Sequence, residues 1–224
     1  ARMIYPATDQ YINLANDALE NGEVIVYPTD TLYGFGVDAT NTEAIHKLNR
    51  LKGRIQPLSI ILESVEHLHD FAEFDVDIES QMKELFPGRY TALLPAKESD
   101  LSPFVQNGSP KIGVRIPNHF FPVKLVKLLG KPIITTSINR HGNDPLNDVT
   151  QVEIDFPNVD IFEDSNHSPS KGSTIIDFSS SPPTIVLSIP WSKSRRTISS
   201  LLFLTALCNA VSFDISVISI SNSL

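Results

Sequence analysis

Cysteine is nearly absent: Cys208 is the only one in 224 residues. An intrachain disulfide is therefore excluded, and no CxxC or Cys/His cluster offers a zinc set. A basic excess is also missing. Lys and Arg number 18 against 26 Asp and Glu, a formal charge of −8. That balance disfavours generic coating of RNA or DNA, although a local basic patch is compatible with it. The first residues, Ala1-Arg2-Met3-Ile4, lack the apolar region of a signal peptide, so a cytoplasmic protein is expected. The apolar stretch Ile198 to Val211 is short for a membrane span and is interrupted by Ser199, Ser200, Thr205 and Asn209. No membrane partner is expected. The six histidines are scattered, and no Ser-His-Asp or Cys-His arrangement is present. Neither a nucleophilic catalytic residue nor a metal site is expected.

Helical and extended patterns alternate through most of the chain. Ile12, Leu14, Ala15, Ala18 and Leu19 recur at helical spacing before Gly22. Val24 to Tyr27 reads as a buried strand. Thr42, a capping-type residue, opens a second helix to Leu51. Further strands are expected at Leu58 to Leu62, Thr91 to Pro95, Lys111 to Ile116, Pro132 to Thr136, Ser173 to Phe178 and Thr184 to Leu187. Helices are expected at Val65 to Phe71, Ile78 to Leu85 and Pro122 to Leu129. This alternation predicts an α/β fold. It is not a strict βαβ repeat, so the expected form is a twisted, open, mixed parallel and antiparallel sheet with helices packed on it. Residues 1–187 form the expected domain, and 188–224 an atypical tail rich in serine and apolar residues.

Polar groups gather at element ends. Tyr27-Pro28-Thr29-Asp30-Thr31-Leu32-Tyr33-Gly34-Phe35-Gly36 puts two hydroxyls, a carboxylate and two glycines beside a core strand. Such a turn suits close approach to a small polar ligand, or simply a tight corner. Lys52-Gly53-Arg54 closes the second helix with two cations, a pattern suited to polyphosphate and equally to a solvated helix end. Arg115 alternates with Val114 and Ile116, so it faces away from them. An inward arginine needs an anion, and a substrate carboxylate would serve; an edge-strand arginine is the alternative. Thr135-Thr136-Ser137-Ile138-Asn139 ends a buried strand, where open α/β sheets bind ligands. Gly172-Ser173-Thr174 could reach the same ligand or merely start a strand.

Taken in order, these clusters resemble the YrdC/Sua5 family over about Gly22 to Val186. The resemblance rests on Pro28-Thr29-Asp30-Thr31-x-Tyr33-Gly34-x-Gly36, Lys52-Gly53-Arg54, Pro57-Leu58, Pro87-Gly88, Gly113-Val114-Arg115-Ile116-Pro117, Ser137-x-Asn139 and Ser173-Thr174-Ile175-Ile176-Asp177. It implies a YrdC-like sheet enclosing a positively lined cavity. It implies L-threonylcarbamoyladenylate synthesis from L-threonine, bicarbonate and ATP with release of pyrophosphate, a nucleotidyl transfer. A downstream tRNA threonylcarbamoyltransferase would then modify adenosine 37 of ANN-decoding tRNAs (t6A). The resemblance assigns Thr31, Arg115, Thr135 and Ser173 to threonine, with Arg115 on its carboxylate. It assigns Lys52, Arg54, Ser137 and Asn139 to ATP, and Mg²⁺ would accompany the nucleotide.

Three features depart from the family pattern. Only Ile55 and Gln56 separate Arg54 from Pro57-Leu58, where a longer loop is usual. A polar residue able to reach threonine is replaced near Ile61. The Arg expected after the last strand is missing, and Leu187-Ser188-Ile189-Pro190 stands there. These departures bear on ATP more than on threonine. A second reading is a YrdC-like paralogue that binds RNA or serves ribosome maturation without synthase activity.

Overall fold

The structure is a computed structural model, and it describes residues 3–168, 170 and 172–187. The expected tail and the residues from Ser188 onward lie outside the described residues.

Helix α1 (Ile12–Glu20) follows a 3₁₀ turn at Asp9–Tyr11 and buries Ile12, Ala15, Asn16 and Leu19, one stripe of a helix. Helix α2 (Thr42–Lys52) is capped by Asn41, whose side chain accepts from the Ala44 N–H at 3.1 Å. Thr42, expected as the cap, is instead the first helical residue. Asn41 has the extended backbone a cap requires, with φ −93° and ψ 100°. Gly53 then ends the helix at φ +66°, a left-handed conformation that glycine adopts without strain. The remaining helices are α3 (Val76–Leu85), α4 (Pro103–Gln106), α5 (Phe120–Leu129) and α6 (Val149–Asp155). The segment read as a helix at Val65 to Phe71 is a 3₁₀ turn over Glu66–Asp70.

The strands are β1 (Ile4–Pro6), β2 (Ile25–Tyr27), β3 (Gly34–Gly36), β4 (Ser59–Ile61), β5 (Tyr90–Pro95), β6 (Lys111–Arg115), β7 (Ile133–Ser137), β8 (Asp160–Glu163), β9 (Thr174–Asp177) and β10 (Thr184–Leu187). Among the described residues they form one sheet in the order β1-β8-β2-β3-β7-β4-β6-β5-β9-β10. Pairs β1/β8, β2/β8, β4/β6 and β5/β9 are parallel; the other neighbours are antiparallel. The expected open mixed sheet with helices is therefore the observed fold. Strand β3 reads in the sequence as part of a polar turn. It pairs on both sides, with β2 and β7, and the missing Cβ of Gly36 leaves room for the Tyr27 ring. No helix among the described residues is long and apolar enough to cross a membrane.

Residues paired directly across strands share a face. The register puts Ile25, Ile61 and Ile133 on one face together with Arg115, Gly36 and Tyr27. Helices α1 and α5 cover one end of it, where Ile12, Ala15, Leu19, Phe121, Leu125 and Val126 join Ile25, Tyr27, Ile61 and Ile133 in a core cluster. Across β3, β7, β4 and β6 the same face carries Gly34, Ser137, Thr135, Ser59 and Gly113, all small, up to Leu93 of β5. The fold thus leaves a polar, glycine-floored area next to a packed core. Ile61, near which the resemblance led to a polar residue being expected, is fully buried in that core.

Candidate functional site

The loop from Pro28 to Tyr33 connects β2 to β3, and Arg115 ends β6. Three strands, β3, β7 and β4, lie between β2 and β6. Flat strands would separate them by about 19 Å, yet Arg115 Nη2 donates to Thr31 Oγ1 at 3.0 Å and to Asp30 Oδ1 at 2.9 Å. The loop is therefore laid across the sheet towards β6. The side chains of Arg115 and Asp30 are 9% and 7% exposed. Asp30 Oδ2 also accepts the Asn118 backbone N–H at 3.0 Å, which ties the loop to the β6–α5 connection. Burial pulls the Arg115 pKa down and Asp30 pulls it back up; an arginine stays charged in either case. Its Nε is buried without a partner. Such an orphan donor is costly in a folded chain and suits a bound acceptor.

The hydroxyls of this loop have definite directions. Thr29 Oγ1 donates its one proton to the Leu32 carbonyl at 2.7 Å. It accepts from the Thr31 N–H at 3.1 Å. The 3.1 Å contact between the two hydroxyls must then use the Thr31 proton. Thr31 Oγ1, already accepting from Arg115, keeps one lone pair and no proton for a ligand. Below the loop, Tyr27 donates to the Ile134 carbonyl at 3.0 Å. Burial holds its phenol well above the usual range.

A second cluster forms at the end of β7. Lys52, at the end of α2, is 1% exposed. Its Nζ donates to the Ser137 carbonyl and, at 3.0 Å, to Asn139 Oδ1. Ser137 Oγ donates to the same Oδ1 at 3.0 Å, and Asn139 Nδ2 donates to the Asn143 carbonyl at 2.8 Å. Burial, helped by repulsion from Arg54, brings the Lys52 pKa down to about 7. Arg54 Nε is buried and unpartnered. Donors left over are thus the third proton of Lys52, one Nδ2 proton of Asn139 and Arg54 Nε. Ser137 orients Asn139 with its own proton.

The two clusters adjoin, because Gly34, at the end of the Thr31 loop, pairs with Ser137. Thr135 is buried on the shared face opposite Ser59. Ser173 joins from β9's start: its hydroxyl lies 2.7 Å from that of Thr91, and a Cβ on neighbouring Gly172 would meet Leu32 at 3.6 Å. Thr31 with Arg115, and Lys52 with Ser137 and Asn139, are in direct contact. Arg54 acts on Lys52 through its charge, and Thr135 and Ser173 border the same area. Asp30 and Thr91 carry no assignment in the sequence reading. Asp30 stands within a singled-out stretch, but nothing local marks it as the partner of Arg115. Among the described residues no group of three or more His, Cys, Asp or Glu could hold a metal ion.

A family model named Sua5_yciO_yrdC, described as "Telomere recombination", matches residues 17–187. The chain belongs to the Sua5/YciO/YrdC family. Its relatives include proteins named threonylcarbamoyl-AMP synthase. The one from Bacillus subtilis is 34% identical over 137 residues, covering 60% of this chain and 40% of the relative. The one from Bos taurus is 32% identical over 173 residues, covering 72% and 61%. The chain thus spans about half the length of these two relatives. The crystal structure of P. abyssi Sua5 complexed with L-threonine superimposes with a TM-score of 0.74 at 27% identity, covering 82% of this chain and 56% of that one. The sheet described above is therefore the Sua5/YciO/YrdC fold.

Proposed function

We propose that this chain is an L-threonylcarbamoyladenylate synthase, a nucleotidyltransferase that uses L-threonine, bicarbonate and ATP and releases pyrophosphate. Its product would supply a tRNA threonylcarbamoyltransferase in t6A formation. The observation that carries this reading is the buried Arg115, fixed beside Thr31 with its Nε unpartnered. The naming of the family relatives and the threonine-complexed Sua5 support the substrate.

In this reading Arg115 takes the threonine carboxylate, with Thr135 and Ser173 lining that end. Lys52, Arg54 and Asn139 turn their spare donors to the ATP phosphates, and Ser137 holds Asn139 in place. The threonine amine combines with bicarbonate to give a carbamate and water. A carbamate oxygen attacks the α-phosphorus, and the bond to the pyrophosphate oxygen breaks. No side chain acts as nucleophile. Holding the reactants in contact supplies effective molarities of up to about 10⁵–10⁸ M in ideal cases, and buried cations stabilise charge as it moves onto the phosphates. The described residues supply no carboxylate set for Mg²⁺, so no step here runs through it; an ion bound to the nucleotide's own oxygens would enter as part of the substrate.

The test is incubation with ATP, bicarbonate and radiolabelled threonine, followed by chromatography. The expected outcome is a labelled adenylate and pyrophosphate release that needs both threonine and bicarbonate. Absence of product from protein that demonstrably binds threonine and ATP overturns the reading.

A further inference from the structure

Resting on the threonine reading above, we infer that Asp30 is a specificity-determining residue: it recognises the substrate's α-ammonium group while Arg115 takes the carboxylate. The site then selects an α-amino acid over the same acid without its amine.

Hydrogen-bond capacity carries the argument. Each oxygen of Asp30 accepts one donor, Arg115 Nη2 at Oδ1 and the Asn118 N–H at Oδ2. A carboxylate has about four acceptor positions, so Asp30 keeps room for a further donor. Thr31 Oγ1, with its proton committed to Thr29, also presents only an acceptor lone pair. Arg115 Nε presents only a donor. Two acceptors and one donor therefore stand together, with Arg115 and Asp30 in 2.9 Å contact. An α-amino acid carries a matching ammonium and carboxylate on a single carbon.

Charge points the same way. Arg115 and Asp30 are both nearly inaccessible, so water screens them poorly, and their charges together sum to zero. A bare carboxylate at Arg115 also meets the negative charge of Asp30. A zwitterion brings a positive group to each negative one. The Asn118 contact keeps Asp30 from turning away.

The experiment is calorimetric binding, without ATP, of L-threonine and of 3-hydroxybutanoate, the same skeleton lacking the amine. Wild type is expected to bind threonine about tenfold or more tighter than 3-hydroxybutanoate, as for one charged contact. In Asp30→Asn, with its folding checked by circular dichroism, that ratio is expected to collapse towards one, through weaker threonine binding and unchanged or tighter 3-hydroxybutanoate binding. An equal loss for both ligands, or an unchanged ratio, overturns the inference and leaves the synthase reading standing. Equal binding of the two ligands by wild type overturns the inference without any variant, and if Asp30→Asn does not fold, the same ratio is read in Asp30→Ser. Wild type that binds no threonine overturns the synthase reading together with this inference.

Discussion

Burial beside Arg54 brings Lys52 from the ordinary 10.5 to about 7, which couples this lysine to stability and, in its proposed role, to phosphate binding. Below about pH 7 it is protonated folded and unfolded, and the cost of burying the charge is fully present. Between about 7 and 10.5 the unfolded chain holds the proton that the folded one has lost. Stability from this group therefore rises with pH across that window. Phosphate next to Lys52 favours the charged form, so ATP binding above neutrality should take up a proton. Calorimetry at pH 8 in buffers of different ionisation enthalpy should show that uptake, and Lys52→Met should abolish it. Arg115 and Lys52 were visible in the sequence because an arginine between apolar strand residues, and a cation beside a helix-ending glycine, are local patterns. The partnership of Asp30 with Arg115 was not, since 85 residues separate them and only the fold brings them together.

Strands β3 and β6 each bring a glycine to the shared face of the sheet, and the two have different roles. A Cβ on Gly36 would lie 2.5 Å from Cε1 of Tyr27. The ring is pinned by its hydrogen bond to the Ile134 carbonyl and cannot swing aside. A Cβ on Gly113 would lie 2.5 Å from Ser59 Oγ, a short side chain that can change rotamer. Gly36→Ala should therefore cost about 1–3 kcal/mol of stability as an overpacked core does, and Gly113→Ala distinctly less. Urea unfolding of the two variants measures the difference. Helices α2, α3 and α5 and most strands were legible from apolar spacing and stop signals. Strands β1 and β8 and helices α4 and α6 were not. They are three to seven residues long and broken by proline or polar residues, whereas the equally short β2 and β4 lie in apolar runs, and β3 looked like a turn because two of its three residues are glycine.

Across the whole molecule, the loop after β2, the end of β6 and the start of β9 meet over one sheet. A ligand held there ties distant parts of the sheet together. It should stabilise the fold as a unit by mass action: about 2.7 kcal/mol at a hundredfold excess over Kd, or roughly 5–10 °C in Tm for a domain of this size. Threonine in a thermal scan checks this, and a flat Tm at saturating threonine counts against the site. The sequence by itself determined the mixed α/β class, the glycine stops of the main helices and the residue types gathered around the site, because apolar periodicity and glycine stops act over a few residues. The tertiary structure alone decided which of these groups touch. It set Asp30 against Arg115, turned the Thr31 proton towards Thr29, engaged Ser137 with Asn139 and buried Lys52. Each depends on strand order and register, and those follow from packing the entire sheet rather than from any local stretch of chain.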